Sequence, residues 1–407
     1  MRIVRELQKT MSESIRNRIT YVSYYSRPDD PQGRQSVPAC TDKMESILDT
    51  LTDLGYSVEI LSACGSDRDR PCPGRVDRLS KLVSLRFFRC FPWTSVFSKL
   101  ACRVSVFGGL LLRLLRLAPQ DRVIVYHAME YIPIVGFAHT LRRFQMILEV
   151  EEIYSDVTGD RKKREKEVAF LRKADRYIFP TRLLEQSVNA DHKPFAIIHG
   201  TYRVQPEREK AQPDGRPDES GNRIHCVYAG TFDPRKGGAL AAVAAATFLP
   251  EDYHIHIIGF GSRRDTEELQ AAIEAMDRES KCRVSFDGLK RGEDYIRFLQ
   301  GCQIGLSTQD PNAAFCTTSF PSKVLSYLAN GLRVVSVRIP AVEGSAVGYL
   351  LTYYDDPSPE AIAKAILSVD LSREYDSRKT IHTLAKGFEN DLKTLLEGDP
   401  SGEAPSR

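Results

Sequence analysis

Short apolar runs alternate with segments of helical periodicity along nearly the whole chain. In the first half, residues 19–24, 57–61, 122–126, 145–150, 176–179 and 195–198 read as strands, and 40–54, 161–173 and 182–189 as helices. The alternation restarts further on, with strands at 224–229, 254–258, 283–286, 303–307, 333–337 and 349–353 and helices at 238–247, 266–278, 293–300, 321–330 and 359–369. Strands that alternate with helices form parallel sheets covered on both faces, because each crossover lays its helix on the sheet. The fold class is therefore α/β, with two Rossmann-like domains in succession and a ligand expected in the cleft between them.

Between the two halves, residues 205–222 turn abruptly to proline, glycine, glutamate and arginine, the composition of an exposed linker. The chain divides into a first domain at 1–204, a linker at 205–223 and a second domain at 224–370. Residues 371–397, with Leu392, Leu395 and Leu396, predict a last helix that packs back on the first domain. Residues 398–407 have nothing to bury and predict a disordered tail.

A chain of 407 residues suits two full cores, and 42% hydrophobic with 27% charged residues is a globular composition. The net charge of +3 makes no case for nucleic acid as a partner. Residues 1–14 lack the unbroken apolar stretch of a secretory signal, and the nine cysteines lie scattered without a CxxC pair. Both features fit buried thiols in a reducing cytoplasm. His254 and His256 stand two apart in an apolar run. With no carboxylate or third ligand placed near them, they read as ordinary strand residues, and no metal site is expected.

The most informative stretch runs from Ser319 to Gly331, SFPSKVLSYLANG. Pro321 suits the first turn of a helix and Gly331 its C-terminal cap. Free N–H groups near Ser322 and Lys323, the positive end of the helix dipole and the Lys323 ammonium make a corner fit for a diphosphate. A capped amphipathic helix whose lysine faces water is the alternative. The preceding strand ends at Ser307, which puts the corner at the carboxyl end of the sheet, where open α/β sheets bind ligands. Two further glycine turns fall at the same edge: Gly230-Thr231 running on through Arg235 and Lys236, and Gly259-Phe260-Gly261. There backbone and cations can approach phosphates closely.

At these residues the sequence resembles the nucleotide-sugar-binding domain of GT-B glycosyltransferases, in the group 1, family-four-like lineage that builds bacterial surface polysaccharides. The likeness covers residues 224–369, with a weaker one over 18–202. Phe320 to Lys323 match the family's FPSK helix start, Ala329 to Gly331 its ANG, Gly259 and Gly261 its Gly-x-Gly turn, and Lys236 the lysine before a helix. The resemblance implies two Rossmann-like domains facing across a cleft, with the first on the acceptor side. It implies donor-binding roles for Gly230, Thr231, Arg235, Lys236, Gly259, Gly261, Phe320, Ser322, Lys323 and Ser326, and action of Lys236 and Lys323 on the leaving diphosphate. Three positions depart from the pattern. Thr231 stands where an arginine is common, with Arg235 as a substitute from another angle. Thr318 and Ser326 stand where relatives place two glutamates, the second of which holds the donor ribose; Ser326 keeps a single hydrogen bond.

In the first domain, Gly33 of Pro31-Gln32-Gly33-Arg34-Gln35 resembles the family's loop against the donor diphosphate, and a surface turn fits equally. His127 follows the strand 122–126 and would point into the cleft. Glu149 and Glu151 share a face by alternation and could orient acceptor hydroxyls or act as a base. The resemblance implies metal-independent transfer with retention, no cofactor, and a nucleotide-sugar donor with a glycan or lipid-linked glycan acceptor. No Asp-x-Asp pair falls where a metal motif would be expected. A nucleotide-sugar epimerase of the same fold is the competing enzyme, and a degenerate transferase serving as a binding or assembly subunit the competing non-enzyme.

Residues 75–116 hold nine Arg or Lys against the single acid Asp77, interleaved with Phe87, Phe88, Phe91, Trp93, Phe97 and Phe107. They read as a basic amphipathic surface for anionic lipid, or else as a pair of core helices with solvated charges. The expected location is cytoplasmic, with peripheral attachment at the inner face of the plasma membrane.

Overall fold

The computed structural model describes residues 17–27, 29–35, 38–66, 68–155, 161–208, 223–233, 237–310 and 320–398. They form two compact units: one ends at Ile198 and takes in the chain from Phe388 on, and the other is His199–Gly387. From residue 209 to 222 the polar stretch at the boundary lies outside the described residues, as does the tail from 399. The last helix, Ser377–Glu397, buries Ile381, Phe388, Leu392, Leu395 and Leu396, and the division into units falls within it.

The first unit holds β1 (Arg18–Ser23), β2 (Ser57–Ser62), β3 (Arg75–Arg78), β4 (Val83–Phe87), β5 (Arg122–Tyr126), β6 (Gln145–Glu149), β7 (Arg176–Phe179) and β8 (Phe195–Ile197). They make one eight-stranded sheet in the order β3-β4-β2-β1-β5-β6-β7-β8. All neighbours are parallel except β3 and β4. Val123, Val125, Met146, Leu148 and Val150 belong to a core cluster that takes in the helices Val96–Leu114, Ile132–Arg142 and Arg161–Leu171. Alternation turns Tyr21, Ile124 and Ile147 to the other face, where the helix Pro38–Asp53 packs.

The edge pair β3 and β4 corrects the alternative reading of residues 75–116 as a pair of core helices. Val83, Leu85 and Phe87 are buried at period two, and the charges of Arg75, Asp77 and Arg78 blunt the exposed edge strand. Only Val96–Leu114 is helical there, with Cys102, Val106, Leu110 and Leu114 as its buried stripe.

The second unit holds β9 (Ile224–Thr231), β10 (Tyr253–Phe260), β11 (Arg283–Gly288), β12 (Ile304–Ser307), β13 (Arg333–Val337) and β14 (Leu351–Tyr354) in the all-parallel order β11-β10-β9-β12-β13-β14. The chain builds outward from β9 to β11 on one side, then returns to β12 on the other. The strand order therefore reverses between β9 and β12. Each cysteine whose side chain is described is a buried free thiol.

Candidate functional site

At that reversal the sheet opens. β9 and β12 pair at Ile304 with Cys226 and at Gly305 with Val227, near the amino end of β9, while β9 runs on to Thr231 beside β10. Crevices of this kind, outside the carboxyl ends of strands at a switch point, are where open α/β sheets bind ligands. Tyr327, from the helix Ser322–Ala329, reaches across the gap. Its hydroxyl accepts the Ala229 N–H at 2.8 Å and donates to the Leu306 carbonyl at 3.3 Å. A Cβ at Gly305 would lie 2.4 Å from the Tyr327 ring, so the absence of a side chain at 305 gives the ring its place. The tyrosine thus ties its helix to β9 and β12 at the crevice.

At the amino end of this helix Pro321 holds the cap position in an extended conformation and offers no side-chain cap. The amino end of a helix is the end that favours an anion. Lys323 lies with its Nζ 3.9 Å from the centre of the Tyr228 ring, and a Cβ at Gly230 would come within 3.3 Å of that nitrogen. Gly230 and Lys323 are therefore in one place, although 93 positions apart (323 − 230). Gly259 pairs with Gly230 and Phe260 with Thr231. Gly259 has φ +141° and comes so close that a Cβ there would stand 1.8 Å from the Gly230 carbonyl oxygen. Gly261 abuts Phe232 in the same way. The glycine turns and the helix start thus converge on one strand edge.

Around this centre the other residues divide. Phe320 is buried and stacks on His199 with ring centroids 4.6 Å apart, which anchors the entry to the helix. Ser322 is exposed in the first turn. Ser326 meets the Tyr295 hydroxyl at 3.0 Å, from the helix Gly292–Gly301. Tyr295 escaped the sequence reading because nothing in its spacing links it to Ser326. Arg235, Lys236 and Thr318 lie outside the described residues.

In the first unit, the loop 29–35 is tied by Asp30, whose carboxylate accepts the N–H groups of Gln32 and Arg34 and pairs with Arg75. Gly33 has φ +63°, which favours glycine. A Cβ on it would stand 2.7 Å from Arg68 Nε, and Arg68 donates to the Pro31 carbonyl at 2.8 Å. Arg68 is thus a second cation beside a glycine loop, and the sequence reading passed over it.

His127 is fully buried, with Nε2 3.4 Å from Glu167 and its ring 5.1 Å from Tyr154. Burial pushes its pKa down to about 4 against the opposing pull of Glu167, which keeps the ring neutral. Glu149 is also buried. Its carboxylate accepts from the Tyr21 hydroxyl, and Lys43 pairs with Glu151 beside it. Burial raises the Glu149 pKa to about 7, with Lys43 acting in the opposite sense. Because Tyr126 is the register partner of Glu149, His127 points to the other face of the sheet. His127 and Glu149 therefore lie on opposite faces, while Glu151 is near enough to exert a smaller upward pull on the His127 pKa. The chemistry on the glutamate face is a carboxyl poised to exchange a proton near neutrality.

That raised pKa has a consequence for stability. Between about 4.5 and about 7 the folded state holds the Glu149 proton more tightly than the unfolded chain, so stability falls as pH rises through this window. His127 works the other way, since stability tied to its neutral ring is lost as pH falls from about 6.5 through about 4. Comparing Glu149→Gln with the parent isolates the first effect. The variant is expected to gain Tm relative to the parent as pH rises from 4.5 to 7.5. A Tm difference that does not change with pH contradicts the buried, late-titrating carboxyl.

Comparison with known proteins agrees with this geometry. Residues 223–369 match the family described as group 1 glycosyl transferases. Among solved structures, the UDP-forming α,α-trehalose-phosphate synthase of Burkholderia xenovorans is similar in fold, with a TM-score of 0.65 at 11% identity over 94% of this chain and 100% of that one. Sucrose-phosphate synthase of Thermosynechococcus elongatus gives 0.64 at 16% identity, over 93% and 95%. The HepE protein of Anabaena, solved in complex with UDP, gives 0.60 at 12% identity, over 93% and 98%. No curated protein matches the chain in sequence. Fold and site together define a GT-B protein with two α/β domains. Its second domain, residues 223–369, is of the group 1 glycosyltransferase type, and the chain as a whole has the GT-B fold.

Proposed function

We propose that the protein moves a sugar from a nucleotide-sugar donor to a glycan or lipid-linked glycan acceptor in polysaccharide biosynthesis, with retention at the anomeric carbon and no metal in the transfer step. The observation that carries this reading is the convergence of Gly230, Gly259, Lys323 and the amino end of a helix at the switch point. In transfer, the bond from the anomeric carbon to the diphosphate oxygen breaks, and the nucleoside diphosphate leaves with the electron pair. Preorganised N–H dipoles and a cation aimed at that charge favour the transition state over the ground state. Arg235 and Lys236, on the turn after Gly230, are assigned to the same diphosphate. Ser326 with the Tyr295 hydroxyl is assigned to the ribose, as neutral hydrogen bonds in place of a carboxylate. UDP is the first nucleotide to try, because two of the similar structures named above are UDP-forming or hold UDP.

A thermal-shift panel of nucleoside diphosphates and nucleotide sugars tests the donor site, since a ligand of the folded state raises Tm by mass action. One of them is expected to stabilise the protein and then to be consumed only when an acceptor is added. Conversion of the donor alone into its epimer would make the protein an epimerase, and stabilisation without turnover would make it a binding subunit.

The acceptor side of the reading rests on a surface patch. The helix Val96–Leu114 buries one stripe, yet Trp93, Val96 at 81% exposure, Phe97 at 85%, Leu100 and Val104 face outward with Lys99 and Arg103 among them. Aromatic and aliphatic side chains ringed by cations suit the interface of an anionic bilayer, where a lipid-linked acceptor would be met. No described helix is long and apolar enough to cross a membrane. We assign the protein to the cytoplasm, resting on the inner face of the plasma membrane. It is expected to sediment with phosphatidylglycerol vesicles at low salt, and Phe97→Glu is expected to abolish this. Failure of the parent protein to sediment removes the membrane assignment and leaves the donor site standing.

A further inference from the structure

Three histidines meet on one face of the second sheet, towards the amino ends of β9 and β10 and so at the opposite strand ends from Gly230 and Lys323. His254 and His256 alternate with Ile255 and Ile257 and share a face, and parallel pairing sets His225 beside His254. The pairing supplies the third histidine that sequence spacing did not reveal, and β11 supplies the carboxylate, Asp287. This corrects the reading of His254 and His256 as a pair without further ligands. His254 and His256 are fully buried and His225 is 6% exposed. One ring nitrogen of each lies within 4.8 Å of the other two. Phe298, from the helix Gly292–Gly301, meets His256 edge-on at 5.3 Å between centroids.

The hydrogen bonds around the cluster allow a consistent order of protons that ends on Asp287. An ionised Asp287 can only accept, so His256 Nδ1, 3.0 Å from its Oδ2, carries the hydrogen and His256 Nε2 the lone pair. Ser285 Oγ gives its proton to the same carboxylate at 2.8 Å and then accepts Nε2–H of His254 at 2.8 Å. That leaves the lone pair of His254 on Nδ1. His256 Nε2 faces His225 Nδ1 at 2.8 Å, so the third ring presents a nitrogen to the same point. With the lone pair on His256 Nε2, the hydrogen of this contact sits on His225 Nδ1 and would move to its Nε2 when an ion binds. The three nitrogens, with a carboxylate bonded behind one ring, then match the donor set of zinc-class ions.

We propose that His225, His254 and His256 form a binding site for one zinc-class divalent transition ion, with Asp287 as the carboxylate that orients His256 and offsets the ion's charge. Enclosed between sheet and helix and remote from the switch-point crevice, the ion would stabilise the second unit and take no part in sugar transfer. It would replace the His225–His256 hydrogen bond by two metal–nitrogen bonds and tie β9 to β10.

The test uses the full-length protein, stripped with a chelator and then titrated with Zn²⁺ or Co²⁺. One equivalent of Zn²⁺ is expected to bind and raise Tm, and Co²⁺ is expected to give the visible absorption of a low-coordinate, nitrogen-ligated ion. His225→Ala should lose both signals. Asp287→Asn serves if that variant does not fold, and should weaken affinity roughly ten- to a hundredfold. No binding at stoichiometric Zn²⁺, or binding unchanged in either variant, overturns the proposal and leaves the trio a neutral hydrogen-bond chain. Neither result bears on the donor site.

Discussion

Replacing Lys323 by alanine is expected to lower kcat/KM for sugar transfer by roughly ten- to a hundredfold or more, with Tm almost unchanged. The ammonium stands against the Tyr228 ring beside Gly230, at the amino end of its helix, where the proposed function puts the leaving-group charge. A charge-assisted hydrogen bond that strengthens at the transition state is worth about 1.5 to 3 kcal/mol. The packing lost with the side chain is small by comparison, because a cation–π contact at a partly exposed site contributes about 0.5 to 1 kcal/mol. Lys364, exposed on the helix Pro359–Leu367, is the control, and its alanine variant should match the parent in both measurements. Near-normal turnover of Lys323→Ala with donor and acceptor would reduce the helix to a packing element.

Gly259→Ala should act through the framework instead. The new Cβ would stand 1.8 Å from the Gly230 carbonyl oxygen, at a φ of +141° that side chains rarely adopt. Relief requires β9 and β10 to part at their carboxyl ends, which displaces Gly230 and Thr231 from the crevice. A backbone clash combined with strain costs about 3 kcal/mol or more, so Tm should fall by several degrees and nucleotide affinity should weaken with it. Gly387→Ala is the contrast, since Gly387 lies exposed in the helix Ser377–Glu397 with nothing within 4 Å of its would-be Cβ. A helical alanine there should stabilise by about 1 kcal/mol. Equal stability of Gly259→Ala and the parent would show that the two strands approach less closely than described.

Much of the sheet architecture was legible in the sequence because buried parallel strands are short, nearly unbroken apolar runs. Residues 122–126, 176–179 and 333–337 have the same limits as β5, β7 and β13. The helix after Pro321 was legible for a similar reason, since proline and glycine bound it locally. β3 and β4 were not, because the period-two burial of Val83, Leu85 and Phe87 is carried among arginines that read as surface. The rest of the site depends on which strands pair. Tyr327 bridges Ala229 and Leu306, Tyr295 meets Ser326, and His225 sits beside His254, all through register and crossing geometry that no spacing along the chain encodes. The position of His127 after a strand was legible, whereas its burial beside Glu167 and Tyr154 comes from elements far along the chain.

The central claim is that the donor diphosphate sits at the carboxyl ends of β9 and β12. A crystal structure with the nucleoside diphosphate that most stabilises the protein tests this directly. The account predicts phosphate oxygens within ~3 Å of the first-turn N–H groups of the helix Ser322–Ala329 and of Lys323 Nζ, with the ribose against Ser326 and Tyr295. A nucleotide bound elsewhere on the second unit, with Lys323 still over Tyr228 and no phosphate beside it, would contradict it.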